Sequence, residues 1–351
     1  MLEAAHQPFV YETPLEFFAS GDFDGDGRTD LVIVDKSSGK CRLAYQLQPG
    51  QYTWAEDNRP SGVRGVTGVS VGRLLHPQRD ALAITSADAN LLVLLEAPSP
   101  AMASQPREVP LEVMGPNVVL ACDVGGEGNT PLADLLLGSI YNSPDPNLLT
   151  VFRNTGTQLR TLAQYPVDRP IAQPNRLALG TNLAEVAVGL LGDPPSELVL
   201  SRFDSGQPEV LGNVPDLPAG TTYVIGHLRS AVYPDFLLYR PGQSELRLRS
   251  ITYADRYSVA FGPETRLEWT RPVDGVFVLP GSHPQKLLLV GEEGQYAALA
   301  QLDGPDRLRT LKELSPGPER FTGALPVPEG VFLLLAPTNH RPSWRYQFCT
   351  S

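Results

Sequence analysis

One phrase recurs seven times along the chain and narrows its fold more than any other feature: an apolar strand, a short loop, a second apolar strand, a polar turn and a third strand. The clearest copy is "LEFFASGDFDGDGRTDLVIVDKSSGKCRLAYQL". Degraded copies follow as "GVSVGRLLHPQRDALAITSADANLLVLLE", "NVVLACDVGGEGNTPLADLLLGSIYNSPDPNLLTVF", "EVAVGLLGDPPSELVLSRFDSGQPEVL", "TYVIGHLRSAVYPDFLLYRPGQSELRLRSI", "DGVFVLPGSHPQKLLLVGEEGQYAALAQL" and "FTGALPVPEGVFLLLAPTNHRPSWRYQF". In each, the second strand is a run of about five apolar residues, too short for a helix and bounded by turn residues, which reads as a strand buried on both faces. Turns such as "KSSGK", "SADAN", "RPGQS" and "GEEGQ" supply hairpin geometry between the second and third strands.

A fourth strand follows several copies, as in "QYTWA", "REVPLEV", "QLRTLAQYPV" and "RLRTLKEL". The unit is thus a four-stranded antiparallel meander of roughly fifty residues, the size of one propeller blade. The expected fold is all-β, a single seven-bladed β-propeller over 1–351 with blades at about 15–56, 66–114, 117–167, 184–214, 221–269, 273–315 and 320–351. The last unit lacks a fourth strand and "QPFVYET" belongs to no unit, so residues 7–13 are expected to join the final blade and close the ring. Two stacked sandwiches would need a linker near the middle, and the longest irregular stretch, 167–185, is apolar enough to pack.

Glycine (32) and proline (34) are scattered between apolar runs, as in a turn-rich β protein rather than a disordered one. The net charge of −11 and the lack of any dense Lys/Arg run exclude nucleic acid as the expected partner. No stretch approaches the ~18 apolar residues that span a bilayer, so no membrane insertion is expected. "MLEAAHQPFVYETP" carries no signal-peptide pattern, leaving a cytoplasmic chain or a portion of an exported one. Cys41, Cys122 and Cys349 are too few and too far apart for a disulfide framework or a CxxC site.

The first loop, "GDFDGDGRTD", places Asp22, Asp24, Asp26 and Asp30 at positions 1, 3, 5 and 9. Four carboxylates so close repel unless a cation neutralises them. Hard charged oxygens at this spacing suit Ca²⁺, with the Arg28 carbonyl at position 7 as a further ligand. An EF-hand needs Glu at position 12, where this chain has Ile33. In the third unit Asp123, Glu127 and Asp134 form a weaker second candidate, with Gly125 at the second ligand position. Other units keep only a strand-opening acid (Asp80, Glu197, Asp235) or lose it (Lys286).

"FFASGDFDGDGRTDLVIV" resembles the FG-GAP or VCBS-type repeat of integrin α-subunit propellers and of bacterial surface and secreted proteins, whose DxDGDGxxD calcium loop joins the first two strands of a blade. The match covers Asp22 to Asp30 and is partial elsewhere. The resemblance implies a propeller of this kind and one metal site; it carries over no ligand-binding residue.

No HExxH, GxSxG, GxxxxGK[ST] or GxGxxG appears. His6, His76, His227, His283 and His340 are spread over the chain, and "HPQ" at His76 and His283 reads as inherited turn sequence. A site on the face opposite the calcium loop would draw on Tyr141, Asn142 and Asp145, on Asn339, His340 and Arg341, and on Arg59 and Arg64. Trp54, Trp269 and Trp344 could stack sugars but lie in or beside strands, where packing is the commoner role. The expected function is a non-catalytic, calcium-stabilised binding, adhesion or scaffold module, a monomeric domain that meets a protein or glycan through its loops. Extracellular calcium fills modest-affinity sites, which favours an extracellular or cell-surface setting over a cytoplasmic one. The alternatives are a propeller-based polysaccharide lyase or glycoside hydrolase, with carboxylates gathered from several blades, or a purely architectural spacer.

Overall fold

The computed structural model describes residues 8–56, 58–96, 105–124, 131–140, 147–178, 186–203, 207–255, 257–281, 283–328, 330–337 and 345–350. Among them are thirty strands and no helix. They form seven antiparallel sheets. The first contains β1 (Phe9–Glu12), β2 (Glu16–Gly21), β3 (Asp30–Asp35), β4 (Lys40–Gln48) and β5 (Gln51–Trp54) in that order, with β6 (Arg59–Pro60) also on β4. The second runs β7 (Gly68–His76), β8 (Arg79–Ser86), β9 (Leu91–Glu96), β10 (Arg107–Val109); the third β11 (Pro116–Cys122), β12 (Asp134–Ser139), β13 (Asn147–Asn154), β14 (Leu159–Val167). The fourth is β15 (Ile171–Ala178), β16 (Val186–Gly192), β17 (Leu198–Arg202), β18 (Glu209–Val214). The fifth is β19 (Thr222–Gly226), β20 (Asp235–Tyr239), β21 (Leu246–Ala254), β22 (Val259–Phe261), with β23 (Thr265–Leu267) also on β21. The sixth is β24 (Gly275–Val278), β25 (Lys286–Gly291), β26 (Tyr296–Leu302), β27 (Leu308–Leu314), and the seventh β28 (Glu319–Val327), β29 (Gly330–Pro337), β30 (Arg345–Thr350). This succession of meanders is the seven-bladed β-propeller expected from the repeats.

The chain comprises two compact units, one of 1–176 with 202–209 and one of 177–201 with 210–351. In the first, alternate residues of β8 serve two cores. Leu82 and Ile84 pack with Val32, Val34 and Val71, whereas Ala81 and Ala83 pack with Ala121, Leu135 and Leu137. In the second unit, Phe236 and Leu238 of β20 join Leu198 and Leu200, while Leu237 joins Leu287 and Leu289. A period-two strand whose faces are both covered explains the unbroken apolar runs, because each core lies between successive sheets. Each such leucine, removed from water, contributes about 1.5–3 kcal/mol. The outermost strands differ: β14 alternates half-buried with exposed residues along its whole length.

Two expectations need correction. The N-terminal strand does not join the last sheet: β1 pairs with β2, from Phe9 opposite Ser20 to Glu12 opposite Phe17. The reason is local. Thr13 donates its N–H (2.8 Å) and its hydroxyl (2.9 Å) to the Glu16 carbonyl, and its Oγ1 accepts the Glu16 N–H at 3.0 Å, which folds the segment back as a hairpin. Short loop closure costs little entropy. The seventh sheet has three strands among the described residues. Second, 167–185 is not irregular throughout, since β15 occupies part of it and opens the fourth sheet ahead of β16.

Candidate metal centre

The aspartate loop joins β2 to β3, and its conformation follows from its glycines and carboxylates. Gly25 and Gly27 both sit at φ 83°, a region costly for any residue with a Cβ. A Cβ on Gly25 would lie 2.6 Å from Arg79 Cγ. Asp22 folds the loop around itself, accepting the N–H groups of Gly25 on Oδ1 (2.8 Å) and of Gly27 on Oδ2 (3.0 Å). Asp24 accepts the Asp26 N–H at 3.1 Å.

Asp30, fully buried at the start of β3, takes the N–H groups of Phe23 (3.0 Å) and Asp24 (3.4 Å) on one oxygen and that of Gln46 (2.9 Å) on the other. Oxygens of Asp22, Asp24 and Asp30 lie within 4.8 Å of one another, the one such group among the described residues. Burial above all, and next to it the charge of Asp24, pushes the Asp30 carboxyl up to about 7 despite its three N–H partners. Asp24 is also raised, by burial and then by its acidic neighbours Asp26 and Asp22. No basic side chain pairs with any of the three among the described residues, so the donor set, hard oxygens under mutual repulsion, fits a divalent cation.

The fourth expected carboxylate stands elsewhere. Asp26 pairs with the Arg28 guanidinium and accepts the Arg28 N–H at 2.8 Å, while Arg28 Nε donates to the Gln46 carbonyl at 2.7 Å. At the second candidate, Glu127 lies outside the described residues. Asp123 is exposed, and Asp134 accepts the Val124 N–H (3.1 Å) and the Asn154 N–H (2.6 Å).

The strand-opening acid therefore has a role that sequence reading missed. Asp134, like Asp30, takes a loop N–H on one oxygen and an N–H of the third strand on the other, and Asp235 repeats the loop part, its Oδ2 accepting Leu228 N–H (2.9 Å) and Arg229 N–H (2.7 Å). Asp80 does something different. Its Oδ2 accepts the Asp22 N–H (2.8 Å), and its own N–H donates to the Asp22 carbonyl (2.7 Å), which ties the loop of the first sheet to the second. In the second unit His227 exchanges the same pair of bonds with Gln285, at 2.7 and 3.0 Å, across the same separation of 58 residues. The loop thus has a common frame in which the acid is a backbone cap. The recurrence of an Asp or Glu at the start of the second strand in the first five units was the available signal.

Of the other residues singled out from sequence, Tyr141, Asn142, Asp145, Asn339, His340, Arg341, Trp344 and His6 lie outside the described residues. Arg59 falls on β6, and the Arg64 carbonyl accepts the Ser86 hydroxyl at 2.7 Å. Trp54 lies under the Arg42 guanidinium, 5.1 Å from the ring centroid, and Trp269 packs on the core around Leu246 and Leu267. His76 closes the β7–β8 turn by accepting the Gln78 N–H at 3.1 Å. The three cysteines are free, and burial pushes the Cys41 thiol up to about 12.

No protein-family model matches the chain, and no curated protein matches it. Solved structures do. The crystal structure of BBS1N in complex with ARL6DN aligns with TM-score 0.57 at 11% identity, over 95% of this chain and 89% of that one. Hydrazine synthase of Kuenenia stuttgartiensis aligns with TM-score 0.56 at 12% identity over 99% of both chains. The dihydro-heme d1 dehydrogenase NirN in complex with DHE aligns with TM-score 0.55 at 10% identity over 93% of this chain and 61% of that one. At such identities the likeness concerns the fold, and it places the chain among seven-bladed β-propellers. One of these neighbours is solved in complex with a partner protein, and two are named as enzymes.

Proposed function

We propose that the chain is a calcium-stabilised, non-catalytic propeller module of the FG-GAP/VCBS kind, which binds a protein or glycan partner in an extracellular or cell-surface setting. The observation that carries this reading is the convergence of Asp22, Asp24 and Asp30 within 4.8 Å on a loop held by two positive-φ glycines. The cation supplies the positive charge that these carboxylates lack, and it holds Asp30 ionised where burial alone favours the protonated form. Because Asp22 is tied to Asp80, a cation on Asp22 clamps the β2–β3 loop against the start of β8 as well. One similar propeller is solved in complex with another protein, which supports a protein partner here.

The test is thermal unfolding of the full chain in EDTA and in millimolar Ca²⁺. A ligand at a hundredfold excess over its Kd adds about 2.7 kcal/mol, which for a chain of this size raises Tm by about 4 °C. Asp24 is exposed and caps only one loop N–H, so Asp24→Ala should keep the EDTA midpoint within about 2 °C of wild type and abolish the calcium-dependent rise. A wild-type midpoint that calcium leaves unmoved would overturn the reading.

A further inference from the structure

The loop between β19 and β20 uses the frame of the aspartate loop but carries the opposite charge. Leu228 and Arg229 donate to Asp235 as Phe23 and Asp24 donate to Asp30, and His227 clasps Gln285 as Asp22 clasps Asp80. Position for position, His227 replaces Asp22 and Arg229 replaces Asp24. This loop borders a cleft of about 410 Å³ whose walls include Leu228, Arg229, His283, Pro284, Leu302 and Pro305. Arg229 and His283 are the ionisable side chains on those walls, and both are basic.

Arg229 is anchored rather than neutralised. Its guanidinium donates to Ser250 Oγ (3.3 Å) and to the Pro305 carbonyl, both uncharged acceptors, and no carboxylate lies within ion-pair distance of it among the described residues. Its Nε is buried, and each terminal nitrogen, having made one of these bonds, keeps one N–H for a ligand. His283 Nδ1 lies 3.2 Å from the His227 carbonyl, which puts the ring proton on Nδ1 and leaves Nε2 for a further partner. His227 is held in turn by its own Nδ1, 3.0 Å from the Ser230 carbonyl.

We infer that this cleft is a binding site for a small oxyanion, a phosphate or carboxylate group carried on a compact apolar body. Arg229 receives the charged oxygens, His283 Nε2, an acceptor in this tautomer, takes a hydroxyl of the ligand such as a protonated phosphate oxygen, and Leu228, Pro284, Leu302 and Pro305 cover its apolar part. Guanidinium suits both oxyanions because its fork matches their paired oxygens, and the cleft volume is that of a metabolite-sized site. This inference is independent of the calcium reading.

The test is an NMR titration of inorganic phosphate, and separately of acetate, into the full chain, following the His283 ring signal identified by its loss in His283→Ala. A saturable shift is expected with at least one probe, and which one saturates tells whether a phosphate or a carboxylate group is preferred. Arg229→Gln should weaken it about tenfold or more, while Arg266→Gln, at an exposed position on β23, should leave it unchanged. Should Arg229→Gln fail to fold, Arg229→Lys keeps the charge without the fork and is expected to bind more weakly than wild type. A linear response to both probes, or saturation equally strong in folded Arg229 variants, would overturn the inference.

Discussion

At the level of single residues, burial without a charged partner decides what the carboxylates do. Glu16, opposite Asp35 where β2 meets β3, is pushed up to about 7 from its ordinary 4.5, first by burial and then by the Asp35 charge, with Arg42 pulling the other way. A raised carboxyl favours the folded state while it holds its proton. That contribution is whole below pH 4.5, where the unfolded chain is protonated too, and is lost as the pH rises to about 7. Wild type in EDTA should therefore lose urea stability across this window, and Glu16→Gln should lose less. Allowing for the side chain's partial exposure, the variant should be more stable by about 1–2 kcal/mol at pH 7.5. Parallel pH profiles for the two proteins would contradict this. The spacing of Asp22, Asp24 and Asp30 was legible in the sequence because like charges at fixed intervals state their own electrostatic problem. The pairing of Asp26 with Arg28 was not, because either partner could equally face solvent.

At the level of loops and strands, the strand-opening acid and the hairpin glycines do the fastening. Replacing Asp134 by Ala orphans the buried N–H groups of Val124 and Asn154 and should cost about 2–4 kcal/mol in denaturant unfolding. Asp123→Ala, at an exposed neighbour, should stay within about 0.5 kcal/mol. Equal losses would mean that Asp134 is not a cap. Gly39 offers a sterner case: at φ 66°, with a built Cβ only 1.6 Å from the Val63 carbonyl oxygen, it admits no side chain. Gly39→Ala should cost more than about 3 kcal/mol by the same measurement, and a neutral result would require the 61–63 segment to move freely. The second strands were readable because burial on both faces leaves an unbroken apolar run. β15 was hidden, since "IAQPNRLA" contains a proline and mixes polar with apolar residues on each face.

For the whole molecule, sevenfold repetition made the sheet count legible, because a meander that recurs needs only one good copy to be recognised. The partner of the N-terminal strand was not legible. Four residues, three of them apolar or aromatic, suit either sheet edge, and the Thr13 turn decides between them. A chain shortened to begin at Thr13 should lose hydrogen-exchange protection in β2 and keep it in β30; the reverse pattern would restore pairing with the last sheet. The common loop frame has a further consequence. Its scaffold, a strand-opening acid and a reciprocal clasp on the backbone, is shared by the β2–β3 and β19–β20 loops although the first and third loop positions differ, Asp22 and Asp24 in one and His227 and Arg229 in the other. The two loops are thus two sockets on one mount. Writing Asp at both His227 and Arg229 should change the contents of one socket while sparing its mount, and a calorimetric calcium titration that counts a second ion would register the exchange.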